Sequence, residues 1–382
     1  MVVIFFLFIY VPEDSNEQYI MDKQLDHYFP LWETYFDSTT AGLRTSQGCL
    51  DLLNWYIDFD AKFEVELSRI LGLRYRNKYL GDYAHHISDH RFEPFFKIKN
   101  NLRLLLAITT HYYKGEDELG IGIYLGRDYL NFIEAFIMAE DFDRNFSLSR
   151  TYDGPDKITY RMHPIKLTTH LNKYWETGHL AMKFDVSNRY HLQSTEHEMI
   201  WPPYYTEKGL HRYFNVRFWQ DINRLRLGAI FDLEQTEFFQ EDHTQSFCDD
   251  NFEIIAEPMI SYRLSSKWIP SLYLTYNYRT QNDSISFFGT VLDSLYDYRR
   301  NVYAYMIDVE FRPGGRFVWH FGAQQQFCFY NHKDDFVDER LLLGLEYRYK
   351  NVWFYLVEAM EGDFPTPKYL HNHTYVQLML LF

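Results

Sequence analysis

Residues 53–67 read Leu53-Asn54-Trp55-Tyr56-Ile57-Asp58-Phe59-Asp60-Ala61-Lys62-Phe63-Glu64-Val65-Glu66-Leu67. Every second residue, from Leu53 to Leu67, is apolar, and the residues between include Asn54, Asp58, Asp60, Glu64 and Glu66. A helix would scatter the apolar set around its circumference, whereas a strand puts all of it on one face. The stretch therefore reads as a long strand with one greasy face and one charged face.

The same period recurs along the chain. Leu71, Leu73 and Tyr75 alternate with Gly72, Arg74 and Arg76, and Leu180, Met182, Phe184 and Val186 alternate with Lys183, Asp185 and Ser187. Phe214, Val216 and Phe218 lead to Leu225, Leu227, Ala229, Phe231 and Leu233; Phe252 to Leu264 forms another row. Tyr303, Tyr305, Ile307, Val309 and Phe311 stand against Asp308 and Glu310, and rows around Phe317–Phe321 and Leu341–Tyr347 complete the set. Connections alternate between short and long. Short ones fall at residues 68–70, 99–101, 126–128, 172–177, 223, 265–267, 313–315 and 350–351. Long ones fall near 80–88, 141–156, 192–210, 238–250, 280–300, 329–339 and 362–370, with a lesser one at 114–118. A soluble sandwich has no reason to lengthen every second loop; a membrane barrel with short periplasmic turns and long outer loops does.

Composition agrees. The chain has 382 residues, net charge -15 and a pI near 5.5, which argues against nucleic acid as a partner because such proteins carry a basic excess. Mean hydropathy is -0.40, yet 19% of residues are aromatic, with 33 Tyr, 33 Phe and 8 Trp. A polar average combined with that aromatic load suits strands that face lipid on one side and water on the other, with aromatic girdles at both interfaces. No apolar run after the N-terminus reaches the ~18 residues of a membrane helix. Lipid-exposed backbone must be fully paired, and among sheets only a closed barrel achieves that. Cys49, Cys248 and Cys328 are too few and too scattered for a disulfide framework and read as isolated thiols.

The chain ends His373-Thr-Tyr-Val-Gln-Leu-Met-Leu-Leu-Phe382, with Thr374, Val376, Leu378, Leu380 and Phe382 on one face. Together with the alternation and the loop asymmetry, this resembles the porin-type β-barrels of Gram-negative outer membranes. In those proteins an amphipathic last strand ends in a Phe read by the barrel-insertion machinery. The resemblance covers residues 50–382 and is architectural. It implies an outer-membrane location, contact with membrane lipid and lipopolysaccharide, and Phe382 as the insertion signal. About seventeen strands are readable from residue 50 onward. If the last strand ends in the periplasm, one more precedes them within 30–50, which gives 18 strands, with 16 the next even number. Residues 1–11 resemble the apolar core of a secretory signal, possible as a remnant of one. Residues 12–45 are expected to be a periplasmic segment, an inward plug or the first strand, and residues 46–382 the transmembrane barrel.

The face opposite the greasy one supplies the candidate lumen. Its residues are Glu64, Glu66, Arg74, Arg76 and Arg103 in the first third of the chain. Lys183, Asp185, Arg189, Arg217, Arg226, Asp232 and Glu234 follow in the middle. Glu253, Glu257, Arg263, Asp308, Glu310, Arg312, Glu346 and Arg348 lie toward the end. Charged rings set selectivity in pores, and rows of opposite sign favour polar solutes; the same charges could also be ion pairs that fill the lumen for stability. Acids are mixed among the Lys and Arg, so the ladder is not that of a pure anion pore.

His85, His86, Asp89 and His90 form the sharpest local cluster, in a set of donors suited to Zn, Cu or Ni. The plainer reading is a solvated His-rich loop. No cofactor is implied. G-x-S-x-G, H-E-x-x-H and P-loop signatures are absent, and Ser187, Ser261 and Ser271 are the serines one would inspect on the outer wall for a barrel lipase. The leading expectation is a channel for small polar or ionic solutes rather than an enzyme. The alternative is a non-conducting barrel that binds a surface polysaccharide or a partner protein.

Overall fold

The computed structural model describes Met21, Gln24 and residues 41–49, 55–82, 86–110, 117–128, 130–140, 157–195, 204–241, 245–287, 290–331, 335–361 and 371–381. Twenty strands follow in order: β1 (Ala41–Cys49), β2 (Trp55–Glu66), β3 (Leu71–Asp82), β4 (His86–Lys99), β5 (Leu102–Thr110), β6 (Glu118–Asp128), β7 (Asn131–Ala139), β8 (Lys157–Met162), β9 (Ile165–Trp175) and β10 (Gly178–Ser187). The second half holds β11 (Tyr190–Thr195), β12 (Tyr204–Ile222), β13 (Leu225–Glu241), β14 (Gln245–Tyr262), β15 (Trp268–Phe287), β16 (Thr290–Gly314), β17 (Phe317–Tyr330), β18 (Phe336–Tyr349), β19 (Val352–Glu361) and β20 (His371–Leu381).

Two of these are extensions. β11 carries β10 onward past Asn188 and Arg189 and pairs with the far part of β12, Tyr190 opposite Gly209. β8 leads into β9 across His163 and Pro164 and pairs with β11. Pro164 has no N–H to give the ladder, and Asn188 mends the gap: its side-chain N–H donates to the His163 carbonyl at 3.0 Å, while the Ile165 N–H donates to its Oδ1 at 2.7 Å. Eighteen staves result, each antiparallel to the next. β20 pairs back on β1, from Gly42–Leu381 to Cys49–Thr374, so the sheet is closed and has no free edge. The eighteen-strand expectation and the extra strand before residue 50 are both met.

The outer face is apolar. Across β5–β7, the outward Leu104, Leu106, Ile121, Ile123, Ile133 and Ile137 are 38–66% exposed. A belt of that continuity in water would be a liability; in a bilayer it is the lipid contact. Aromatics mark two levels. Near the short turns, Trp268 stacks on Phe311 with centroids 4.2 Å apart, and Phe317 lies 5.0 Å from Tyr347. Higher up, Tyr303 meets Tyr276 at 5.2 Å and Phe329 at 6.0 Å. Tyr303 and Phe311 stand eight residues apart on β16, roughly 26 Å along the strand at ~3.3 Å per residue; with the ~35–45° tilt of barrel strands that is roughly 20 Å of membrane depth, within the apolar band of a membrane barrel.

The short turns fall close to where the alternation breaks. Asn223 and Lys350 take left-handed φ of 58° and 51°, which suits two-residue hairpins. The long loops expected at 238–250 and 280–300 are instead mostly strand. β13 runs to Glu241, β14 starts at Gln245, β15 reaches Phe287 and β16 starts at Thr290. The cause is solvent. A membrane crossing needs ~9–11 residues, whereas β12–β16 have 17 to 25. Their upper parts stand in water on both faces, so Gln240, Asp249, Asp250, Asn251, Gln281 and Asn282 carry no greasy row to read.

Candidate functional site

Pleating sends the residues between the lipid-facing ones inward, so the lumen wall is written by the opposite parity of each strand. On the β2–β10 side this wall is a charge lattice assembled across strands. Arg74 on β3 joins Glu93 on β4 and Glu134 on β7, the latter at 2.7 Å. Arg91 donates to the other oxygen of Glu93 at 2.6 Å. Arg103 on β5 reaches Glu64 on β2 at 2.9 Å, Arg76 pairs with Asp60, and Lys166 bridges Glu118 and, at 3.2 Å, Glu140.

Below this lattice lies an apolar layer that also faces inward. Phe95, Leu105, Ala107, Tyr124, Phe132, Phe136 and Met138 form one buried cluster, none above 8% exposed. The arginines roof it: Arg91 sits 4.7 Å over Phe136, and Arg103 lies 4.8 Å over Phe95 and 5.1 Å over Tyr124. Glycines on the neighbouring strands make room. A Cβ at Gly122 would stand 2.3 Å from the Phe136 ring, and one at Gly72 only 2.2 Å from Phe95. Lys62, Arg74, Arg76, Lys78, Arg91, Lys166 and Lys183, with Glu64, Asp89, Glu93, Glu118, Glu134 and Asp185, line a cavity of about 420 Å³.

A second cavity, about 200 Å³, lies toward the short-turn end. It is lined by Arg217, Arg224, Arg226, Arg263, Arg312 and Arg348 against Asp221, Asp308, Glu310 and Glu346, with Trp219 and Tyr273 among its walls. Arg226 holds Asp221 through two bonds of 2.7 and 2.9 Å and lies 4.4 Å over Trp219. His320 Nδ1 contacts Asp308 at 3.0 Å, and Arg312 and Arg348 pair with Glu310 and Glu346.

Fourteen of the candidate lumen charges fall into three groups. Glu64, Arg74, Arg76, Lys183 and Asp185 line the larger cavity, with Arg103 in its lattice; Arg217, Arg226, Asp308, Glu310 and Arg348 line the smaller. The rest are peripheral. Glu66 pairs with Lys97 near a short turn, Glu234 meets His211 at 3.5 Å, and Asp232 accepts bonds from Asn215 and Tyr213. Among the further candidates, Arg189 is solvent-exposed and pairs with Glu237 on the tall wall, away from both cavities. The sequence does not reveal Glu93 and Glu134 as the partners of Arg74, because only the strand register brings them together.

The His-rich cluster comes apart. Asp89 lines the larger cavity, whereas His90 stacks with Tyr75 on the other face, its Nδ1 2.8 Å from the Tyr75 hydroxyl. Adjacent strand residues point to opposite sides, so Asp89 and His90 cannot share an ion here. His85 and the side chain of His86 lie outside the described residues, and among the described residues no group of three or more His, Cys, Asp or Glu is placed to hold a metal. Ser261 and Ser271 are not on the outer wall; they line the smaller cavity and bond each other at 2.8 Å, while Ser187 donates to the His211 carbonyl. Cys248 and Cys328 form no disulfide among the described residues; Phe382 and the side chain of Cys49 lie outside the described residues.

A closed barrel with an apolar, aromatic-girdled outside and a charged inside is a transmembrane β-barrel of the bacterial outer-membrane class. No protein-family model and no curated protein matches the chain. Solved structures of similar fold include OmpTdeltaL8, a loop L8 deletion mutant of the outer membrane protein OmpT of Vibrio cholerae, at 9% identity and a TM-score of 0.38, covering 90% of this chain and 97% of that one. OccK2 (OpdF) of Pseudomonas aeruginosa, solved in complex with glucuronate, is 11% identical at a TM-score of 0.44, covering 90% and 98%. OccAB3 of Acinetobacter baumannii is 10% identical at 0.44, covering 90% and 98%.

Proposed function

We propose that the protein is a porin-like channel that passes small polar or ionic solutes through a charged lumen. The observation that carries this reading is the pair of inward cavities walled by opposed charges, inside a barrel whose outside is apolar. Rows of fixed charge at close quarters replace part of a solute's hydration and select by sign. Among the described lining residues, seven Lys and Arg face six Asp and Glu in the larger cavity, and six face four in the smaller. That excess runs against a chain of net charge -15 and predicts a modest preference for anions.

The test is a planar bilayer. Stepwise conductance, with a reversal potential displaced toward the anion in a salt gradient, supports the proposal. A folded barrel that stays silent under every voltage, with or without its N-terminal segment, overturns it. One observation favours the second reading, a non-conducting barrel that binds a polysaccharide or a partner protein: Met21 and Gln24 are fully buried against the inner wall.

A further inference from the structure

We propose that Arg224 and Arg263 form an anion-capture site at the short-turn mouth of the smaller cavity, suited to the phosphoryl group of a phosphorylated sugar. The inference rests on the channel reading above, whose solute it names.

The site emerges by subtraction. Each acid lining the smaller cavity is matched among the described residues. Asp221 is held by Arg226 and Asp308 contacts His320. Glu310 and Glu346 are matched in the same way by Arg312 and Arg348. Arg217 is engaged within the protein. Arg224 and Arg263 line the same cavity, and among the described residues neither side chain makes a hydrogen bond, an ion pair or a ring contact.

Strand register brings these two together. Leu225 on β13 is opposite Tyr262 on β14. One step further, Arg224 and Arg263 face each other, and the Arg263 N–H donates to the Arg224 carbonyl at 2.7 Å. Directly opposed residues share a face with Cβ atoms about 4.5–5.5 Å apart, and like charges there repel. Two guanidiniums so placed, each without an acid of its own, suit a group that brings two negative charges. The mouth is also braced. Asn223 takes the left-handed φ of 58° that closes the β12–β13 turn. Ser265 Oγ accepts from the Lys267 and Trp268 N–H groups at 3.1 and 3.2 Å, and the Lys267 carbonyl accepts from the Arg312 N–H at 2.8 Å. A rim fixed in advance loses little freedom when it binds.

Charge and shape decide among oxyanions. A phosphomonoester carries about −1.5 to −2 charges at neutral pH and three acceptor oxygens, enough for a forked bond from each guanidinium. A single carboxylate carries one charge and satisfies one fork. The row behind the pair describes the rest of the solute. Ser261 stands two residues before Arg263, opposite Arg226 on one side and Ser271 on the other, and Asp308 is opposite Ser271. Ser261 and Ser271 bond each other at 2.8 Å. Hydroxyls and a carboxylate in a row exchange hydrogen bonds with a hydroxylated body, whereas an apolar ring has nothing to offer them. The cavity, about 200 Å³, limits that body to a small one.

The experiment measures binding by calorimetry on the full chain folded in detergent, and conductance of the same protein in a planar bilayer. Glucose 6-phosphate should bind about ten-fold more tightly than glucose, inorganic phosphate or glucuronate, and should block the open channel over the same concentrations. Arg224→Gln and Arg263→Gln should each weaken that binding about ten-fold, with the strand signal in circular dichroism unchanged. Arg189→Gln, on the tall wall, should leave it as it was. Inorganic phosphate binding as tightly as the sugar phosphate overturns the sugar assignment, and glucuronate doing so overturns the phosphoryl one. Full affinity in both arginine variants, or no binding by the folded barrel, overturns the site. Binding that follows these expectations in a barrel that never conducts defeats the channel reading and leaves the site standing.

Discussion

Two stretches of the inner wall are equally dry and are kept dry in different ways. Along β4–β7 the barrel fills itself: Phe95, Phe136 and Tyr124 lie flat over the wall, and Arg74, Arg91 and Arg103 close over them with Glu64, Glu93 and Glu134 as counter-charges. Along β15–β17 the inward residues mix apolar Val302, Ala304 and Met306 with polar Thr275, Asn277, Gln324 and Gln326, and Met21 and Gln24 meet Thr275 and Gln324 from a distant part of the chain. The first filling is part of the fold and cannot be withdrawn without exposing buried charge. A barrel interior can thus be covered by its own wall in one stretch and by a distant part of the chain in another.

The strongest way to break this contrast is Arg74→Ala. It leaves Glu93 and Glu134 buried without their shared partner, and breaking such a pair costs about 3–5 kcal/mol. Urea unfolding in detergent micelles should show that loss, and Arg74→Lys should recover only part of it, since a single ammonium cannot reproduce the fork that reaches both acids. A loss below about 1 kcal/mol would mean that the lattice is solvated decoration.

Ile123→Arg tests the other face of the same wall. Ile123 is 49% exposed on the outside, and a charge there should cost about 2–4 kcal/mol if the site faces the bilayer midplane. A neutral outcome in the same unfolding assay would place Ile123 in water. Gln324→Ala should behave unlike either. Its bonds hold Met21 and Gln24 rather than neighbouring staves, so barrel stability should fall by only about 1 kcal/mol. Smallest of all is Arg189→Ala. That arginine is 61% exposed in its pair with Glu237 on the tall wall, and the change should fall within about 0.2–1 kcal/mol.

Much of the fold is legible in the sequence because lipid enforces one greasy face per stave. Leu53 to Leu67 and Tyr303 to Phe311 show the period without help, and counting such rows leads to eighteen. Legibility fails where that constraint lapses. The upper parts of β13–β16 have water on both sides, so Asp249-Asp250-Asn251 reads as loop and folds as strand. The inward charges are legible by parity, but their pairing is not, because Arg74 finds Glu134 only through a register set by strands far apart in sequence.

The apolar inner layer was also hidden, since a polar lumen is the default expectation. The available clue was a local loss of alternation, as in Phe95-Phe96 and Leu104-Leu105-Leu106, where both faces are greasy. Phe95 and Leu105 are the buried members of those runs, while Phe96, Leu104 and Leu106 are exposed outside. The sequence admits an inward plug among the readings of residues 12–45 but does not single out Met21 and Gln24 within them. Their placement depends on Thr275 and Gln324, which look like ordinary polar strand residues.

The central claim is that one closed sheet has lipid on one face and a filled, charged interior on the other. It is tested most directly by placing spin labels one at a time along β16, from Tyr303 to Phe311, in the membrane-inserted protein. Positions 303, 305, 307, 309 and 311 should collide with lipid-soluble oxygen. Positions 304, 306, 308 and 310 should be shielded from it. Uniform accessibility along the strand, or a repeat near 3.6 residues, would contradict the barrel.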